Sequence, residues 1–251
     1  MDDTLIFNFK ADISSLSIPV ELNNPFGTFI PELARVAAAE FKDFIGLESE
    51  KWAHDFHVQK GKMFGVLVVQ KADASYGYLG TFSGKFPETL IDSKFIPSVF
   101  DDSIEDSFIH KGMKALSELS NQINYSECKT EISTLKVIRK QKSIALQQKL
   151  FENYQFLNLS GEVKGVLEIF EQSSCAKPPV AAGECAAPKL LQYAIEHQLK
   201  PIAIAEFWWG KSMKHDEREH ASFYPACEHR CRLILEYMLE DTGLFERANT
   251  L

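Results

Sequence analysis

Apolar positions along this chain change period several times, and each change marks an element. From Pro31, PELARVAAAEFKDFIGL sets Leu33, Val36, Ala37, Phe41, Phe44 and Ile45 at helical spacing. Pro31 suits a first turn, and Gly46 reads as the stop. A second short helix is expected around Trp52 and Phe56. Met63 to Val69 is then a continuous apolar run, Lys71 to Ser75 a polar turn, and Tyr76 to Phe82 a second run, which together predict a β-hairpin. Residues 86–107 read as loop. From Ser107 to Tyr154 the period is helical again. Met113, Leu116 and Leu119 fit one face, and Ile132, Leu135, Ile138, Leu146 and Leu150 fit another. A break at Asn121 to Ser126 makes this a helical hairpin. From Phe151, FENYQFLNLSGEVKGVLEIF predicts a strand, a glycine turn and a short helix ending near Phe170, and Cys175 to Val180 is a linker. A helix then starts between Cys185 and Pro188, burying Leu190, Leu191, Ala194, Ile195 and Leu199. IAIAEFWW, after Pro201, is a buried strand. Residues 211–221 are a hydrophilic loop, and Tyr224-Pro225-Ala226-Cys227 opens a last helix with Cys231, Leu233, Ile234, Tyr237 and Met238. Residues 1–30 read as an irregular arm, or a strand plus turns.

Composition adds limits. The 251 residues are 45% hydrophobic and 25% charged, ordinary for a globular chain with a sizeable core. A net charge of −8 argues against bulk nucleic-acid binding and leaves room only for a local basic stripe. No apolar run approaches the roughly 20 residues of a membrane helix, and MDDTLIFNFK lacks a signal-peptide layout. A cytoplasmic location without membrane contact is the expectation, and there the five cysteines read as thiols or metal ligands.

Several groups could carry chemistry. Gly65, Gly77, Gly80 and Gly84 in the hairpin signal twist and bulges, or a sheet edge that a ligand approaches. Asp101, Asp102, Glu105 and Asp106 form an acidic loop without calcium-loop spacing. Lys136, Arg139, Lys140, Lys142 and Lys149 make the one basic stripe, either a solvated helix face or an RNA-phosphate contact. Cys185, Cys227 and Cys231 fall at expected helix starts, where the dipole stabilises thiolates. They are candidate metal ligands or buried structural thiols. His215, His220 and His229 lie near them in sequence and offer a fourth ligand. Glu206, inside an apolar strand, must find a partner or shift its pKa. Phe207-Trp208-Trp209 could stack a base or pack against a helix.

The order of β-hairpin, helix, strand and helix, with cysteines at both helix starts, resembles the zinc nucleobase deaminase fold. In that fold a His or Cys two residues before a Glu opens one helix and P-C-x-x-C opens the next. Three ligands hold zinc, which activates water, and the Glu shuttles protons. The chain departs from the pattern twice. Cys185-Ala186-Ala187 has no Glu in that place, leaving the adjacent Glu184 as a weak candidate acid. The second motif is Cys227-x-x-x-Cys231, one residue longer, though one helical turn still sets both sulfurs on one face. The resemblance implies zinc as cofactor and an α/β, cytidine-deaminase-like three-layer core with an inserted helical hairpin. The expected ranges are an N-terminal arm (1–30), a first α/β half (31–106), the helical hairpin (107–154) and a second half carrying the cysteines (155–251).

AAGECAAPKLLQYAIEHQLKPIAIAEFWWG and FYPACEHRC, with GKMFGVLVVQ, GYLGTFSGKF and LQQKLFENYQFLN, also resemble the N-terminal extension of large RluA-type RNA pseudouridine synthases, over roughly Gly61 to Leu239. The catalytic domain of that family follows the extension and supplies its Asp from an H-R-L-D segment, which residues 1–251 do not contain. The resemblance implies an accessory region that does not itself make pseudouridine. It would help position rRNA or tRNA and would partner the C-terminal synthase domain. A zinc-dependent deaminase-like domain and a purely structural domain are the alternatives.

Overall fold

The computed structural model describes residues 3–49, 51–52, 55–84, 94–100, 107–171, 177–212 and 217–240. Asp101, Asp102, Glu105, Asp106, Cys175 and His215 lie outside them. The fold is mixed α/β. The described residues form six α-helices, a four-stranded antiparallel sheet and a separate two-stranded ribbon.

Helix α1 spans Glu32–Ser49 and buries Leu33, Ala34, Ala37, Ala38, Phe41 and Ile45, an i, i+3/i+4 stripe. It runs through Gly46, the expected stop. One helical glycine costs only about 1 kcal/mol, and Phe41 and Ile45 are fully buried. Among the described residues, Trp52 and Phe56 are not helical, contrary to the expectation. There Asp55 accepts backbone N–H bonds from His57 and Val58 at 2.8 and 3.3 Å, a local turn that competes with helix.

Strands β1 (Lys62–Gln70) and β2 (Tyr76–Phe82) make the expected hairpin. β5 (Lys200–Trp209) pairs antiparallel with the other edge of β1, and the two-residue β6 (Phe223–Tyr224) completes the order β2-β1-β5-β6. The apolar run of β1 is continuous because both faces are covered. Phe64, Val66 and Val68 join the α1-side core, while Leu67 and Val69 join the core on the other face.

That other face is covered by α5 (Ala186–Glu196) and α6 (Glu228–Met238), giving helix, sheet and helix layers. Beside them β3 (Gln155–Leu157) and β4 (Val163–Gly165) form the ribbon, followed by α4 (Val166–Glu171). The second ribbon strand was not anticipated. It exists because the turn at Gly161, with φ of +83°, reverses the chain.

Between β2 and β3 stand α2 (Phe108–Tyr125) and α3 (Lys129–Phe151). The break falls at 126–128, later than the sequence suggested. Ser126 fixes it by accepting from the Cys128 N–H and bonding Glu131 at 2.7 Å. The two helices pack chiefly on each other and touch the remaining elements only glancingly. Gly112 lets them close, since a Cβ there would sit 2.5 Å from Leu146.

Candidate functional site

Three of the thiols meet at one end of the sheet. Cys185 is the N-cap of α5, Cys227 is the N-cap of α6, and Cys231 lies one turn into α6. The Cys185 side chain makes no capping hydrogen bond to its own helix. The free amides of the first turn of α5 are met from the sheet instead. Ala186 N–H donates to Ser83 Oγ at 3.2 Å, and Ala187 N–H donates to Glu206 Oε1 at 2.8 Å. This close approach needs Gly65 on β1, because a Cβ there would lie 2.8 Å from Ala186 Cβ and 3.4 Å from Glu206 Cγ.

The Cys185 thiol hydrogen-bonds both Cys227 and Cys231. The bond to Cys227, then that to Cys231, then burial push the Cys185 pKa up. The same Cys185 bond pulls Cys227 down to about 5, with help from the Arg230 and His229 backbone N–H groups at the start of α6. Cys185 and Cys231 are buried, and Cys227 is half-buried.

Glu206 stands beside these sulfurs. Burial raises its carboxyl to about 7, the Ala187 N–H opposes that shift, and charge on Cys227 adds to it. A cavity of about 10 Å³, room for a single water, lies between Glu206, Ala187, Ala226, Tyr224 and Asn23. Asn23 is committed to the wall, exchanging hydrogen bonds of 3.1 and 2.9 Å with the Ile204 backbone.

Glu184 has a different setting. Its carboxylate pairs with the Lys189 ammonium at 3.3 Å, both side chains almost fully buried, and accepts from Tyr154 Oη and from Ser98 Oγ at 3.1 Å. It locks α5 to the ribbon side of the core and does not stand in for an acid at position 187. The histidines supply no further ligand among the described residues. His220 Nδ1 accepts the Gly210 N–H at 2.9 Å while its ring packs on Trp209 and His57, and His229 is exposed. Of the aromatic trio, Phe207 and Trp208 are buried, with Phe207 stacked on Phe64, and Trp209 is half-buried. They pack and do not form an open stacking platform.

The donor chemistry of the cluster suits zinc. Thiolates are ligands that zinc takes at about 2.3 Å. The side chains are not pre-arranged as a cage. Among the described residues no three His, Cys, Asp or Glu side chains already surround one point. Holding a metal would require the thiols to rotate out of their mutual hydrogen bonds.

The basic residues of α3 do not make one stripe. At about 100° per residue, Lys136 and Lys140 share one flank, and Lys142 and Lys149 share the opposite one. Arg139 lies between, facing α2, where its Nε donates to Ser120 Oγ at 2.7 Å. Lys149 sits 4.7 Å from the Phe108 ring centroid. Lys136, Lys140 and Lys142 are exposed. From Ser107 to Phe151 the chain carries eight Lys and Arg against three acidic residues, on a molecule of net charge −8.

No family model, curated protein or solved structure matches the chain. No helix among the described residues is long and apolar enough to cross a membrane.

Proposed function

We propose that this chain is a non-catalytic, RNA-positioning module that works beside an RluA-type pseudouridine synthase domain. The observation that carries the reading is the α2–α3 arm. It stands off the core and concentrates positive charge on an otherwise acidic molecule, as a phosphate-tracking element must. Lys136, Lys140 and Lys142 would contact phosphate from two flanks of α3, while Arg139 holds the arm together. The scaffold is proposed to be deaminase-like, supported by the hairpin, the helix–strand–helix order and the thiols at two helix starts on one sheet face. Deaminase chemistry is not part of the proposal, because position 187 is alanine and Glu184 is tied into a buried ion pair.

The test is fluorescence anisotropy with a structured rRNA or tRNA fragment over a range of salt. Lys136→Glu/Lys140→Glu/Lys142→Glu should weaken binding at least tenfold and reduce the slope of log K against log salt by roughly 2–3. Equal binding and an equal slope in the triple variant would remove the arm from the reading.

A further inference from the structure

We infer that the outward face of α3 is a seat for the minor groove of an A-form RNA duplex, with Ser133, Gln141 and Gln148 hydrogen-bonding ribose 2′-hydroxyls. The inference rests on the RNA reading and narrows it to duplex RNA.

Contact with α2 divides α3 into two faces. Ile132, Leu135, Ser143, Leu146 and Leu150 are half-buried, Leu146 lies over Gly112, and Arg139 reaches Ser120 on the same side. At about 100° per residue, Ser133, Val137, Gln141, Ile144 and Gln148 fall within an arc of about 80° on the opposite side. All five are exposed, Val137 to 54% and Ile144 to 56%. The stripe carries no charge. Lys136 and Lys140 border it on one flank, and Lys142 and Lys149 on the other. Glu131, the one acidic residue of α3, sits in the first turn and accepts from Ser126 Oγ at 2.7 Å.

Cations on both flanks of an uncharged strip complement a groove, whose walls are phosphate and whose floor is base edge and sugar. A helix is about 10–12 Å across, too wide for the roughly 6 Å minor groove of B-DNA. The major groove of B-DNA admits a helix but presents no 2′-hydroxyl. In A-form RNA the major groove is too narrow to read, whereas the minor groove is wide, shallow and lined with 2′-hydroxyls. Gln and Ser side chains donate and accept, as a 2′-hydroxyl does. Val137 and Ile144 pack on ribose carbons between them. A protein helix suits this face less well. At coiled-coil spacing the seam reads Thr134, Val137, Gln141, Ile144 and Gln148, three of five polar, and polar groups buried in such a seam cost stability.

The experiment measures fluorescence anisotropy of the whole chain with three probes of one mixed sequence: an RNA duplex of about 20 base pairs, the matching DNA duplex, and one RNA strand alone. Wild type should bind the RNA duplex at least about tenfold more tightly than either of the others, the scale of a few hydrogen bonds. Ser133→Ala/Gln141→Ala/Gln148→Ala keeps every lysine and puts a good helix former at exposed positions, so far-UV circular dichroism should match wild type. This variant should lose about tenfold on the RNA duplex, with its salt slope and its DNA-duplex affinity unchanged. Equal binding of RNA and DNA duplexes by wild type, or a preference for the single strand, would overturn the inference while leaving the arm's phosphate contacts standing. So would undiminished RNA-duplex affinity in the triple-alanine variant, which would give the stripe to a protein partner. Wild type that binds none of the probes at low salt would remove the RNA reading itself, and this inference with it.

Discussion

Removing the Glu184 carboxylate takes the ion-pair partner at 3.3 Å from the Lys189 ammonium, whose side chain is 2% exposed inside the core. Breaking one partner out of a buried pair typically costs 3–5 kcal/mol, because the remaining charge is uncompensated. Two features of this pair adjust that range. Lys189 also donates to the carbonyls of Phe82 and Gly84 at 3.3 and 2.9 Å, so part of its hydrogen bonding survives. Tyr154, 1% exposed, loses the Glu184 carboxylate as an acceptor, which adds to the cost. Glu184→Ala should therefore destabilise the fold by about 3–5 kcal/mol, lowering Tm by roughly 6–20 °C for a chain of this size. Glu184→Gln, which keeps an acceptor for Tyr154 and Ser98, should cost about half as much. Urea unfolding followed by tryptophan fluorescence and far-UV circular dichroism gives the comparison, with an unchanged m-value as the check on two-state behaviour. In a double-mutant cycle with Lys189→Met, the pair should couple by at least about 1 kcal/mol. A Glu184→Ala protein within 1 kcal/mol of wild type, or a cycle that closes additively, would refute the structural assignment of this glutamate.

Three further outcomes follow from the same geometry. Gly65→Ala should cost about 1–3 kcal/mol by overpacking, because its Cβ would lie 2.8 Å from Ala186 Cβ and 3.3 Å from Leu190 Cδ1; thermal unfolding measures it. Half-buried Lys62 has its pKa pulled down to about 8, first by desolvation and then by neighbouring Lys189, from 10.5 when unfolded. The unfolded chain therefore binds more protons between pH 8 and 10.5, so this group's penalty is fully present below pH 8 and fades as pH rises. After allowance for solvent screening, Lys62→Met should gain on the order of 1 kcal/mol at pH 7 and lose that advantage by pH 10, as read from paired urea titrations. Iodoacetamide at pH 7 should modify half-buried Cys227 before buried Cys185 and Cys231, because its thiolate is favoured down to about pH 5; peptide mass spectrometry follows the order, with exposed Cys128 as the reference.

Strong local periodicity made much of the architecture readable. The hairpin, α1, the paired arm helices, α5, β5 and α6 each carry an apolar pattern matched to their period. Cysteines placed just before two such patterns were readable as helix caps. The errors fell where local side-chain bonding outweighed periodicity. The Asp55 turn makes the described residues around Phe56 non-helical, and Ser126 set the arm's break. The basic residues of α3 looked like one stripe because proximity in sequence hides rotation about the helix axis. Their split into two flanks, with Arg139 turned inward, appears only once α2 defines an inside.

The sequence by itself determined the main helices, the β1–β2 hairpin and the buried strand β5, and that thiols stand at two helix starts. Only the tertiary structure decided which carboxylate belongs with those thiols. Glu184 is their neighbour in the chain, yet it points into a buried ion pair with Lys189. Glu206, 21 residues after Cys185, comes to the start of α5 because β5 lies beside β1 and Gly65 admits the helix. Sequence distance reports position along the chain, whereas burial and hydrogen bonding depend on which backbones can approach. Here the missing side chain at Gly65 set that approach.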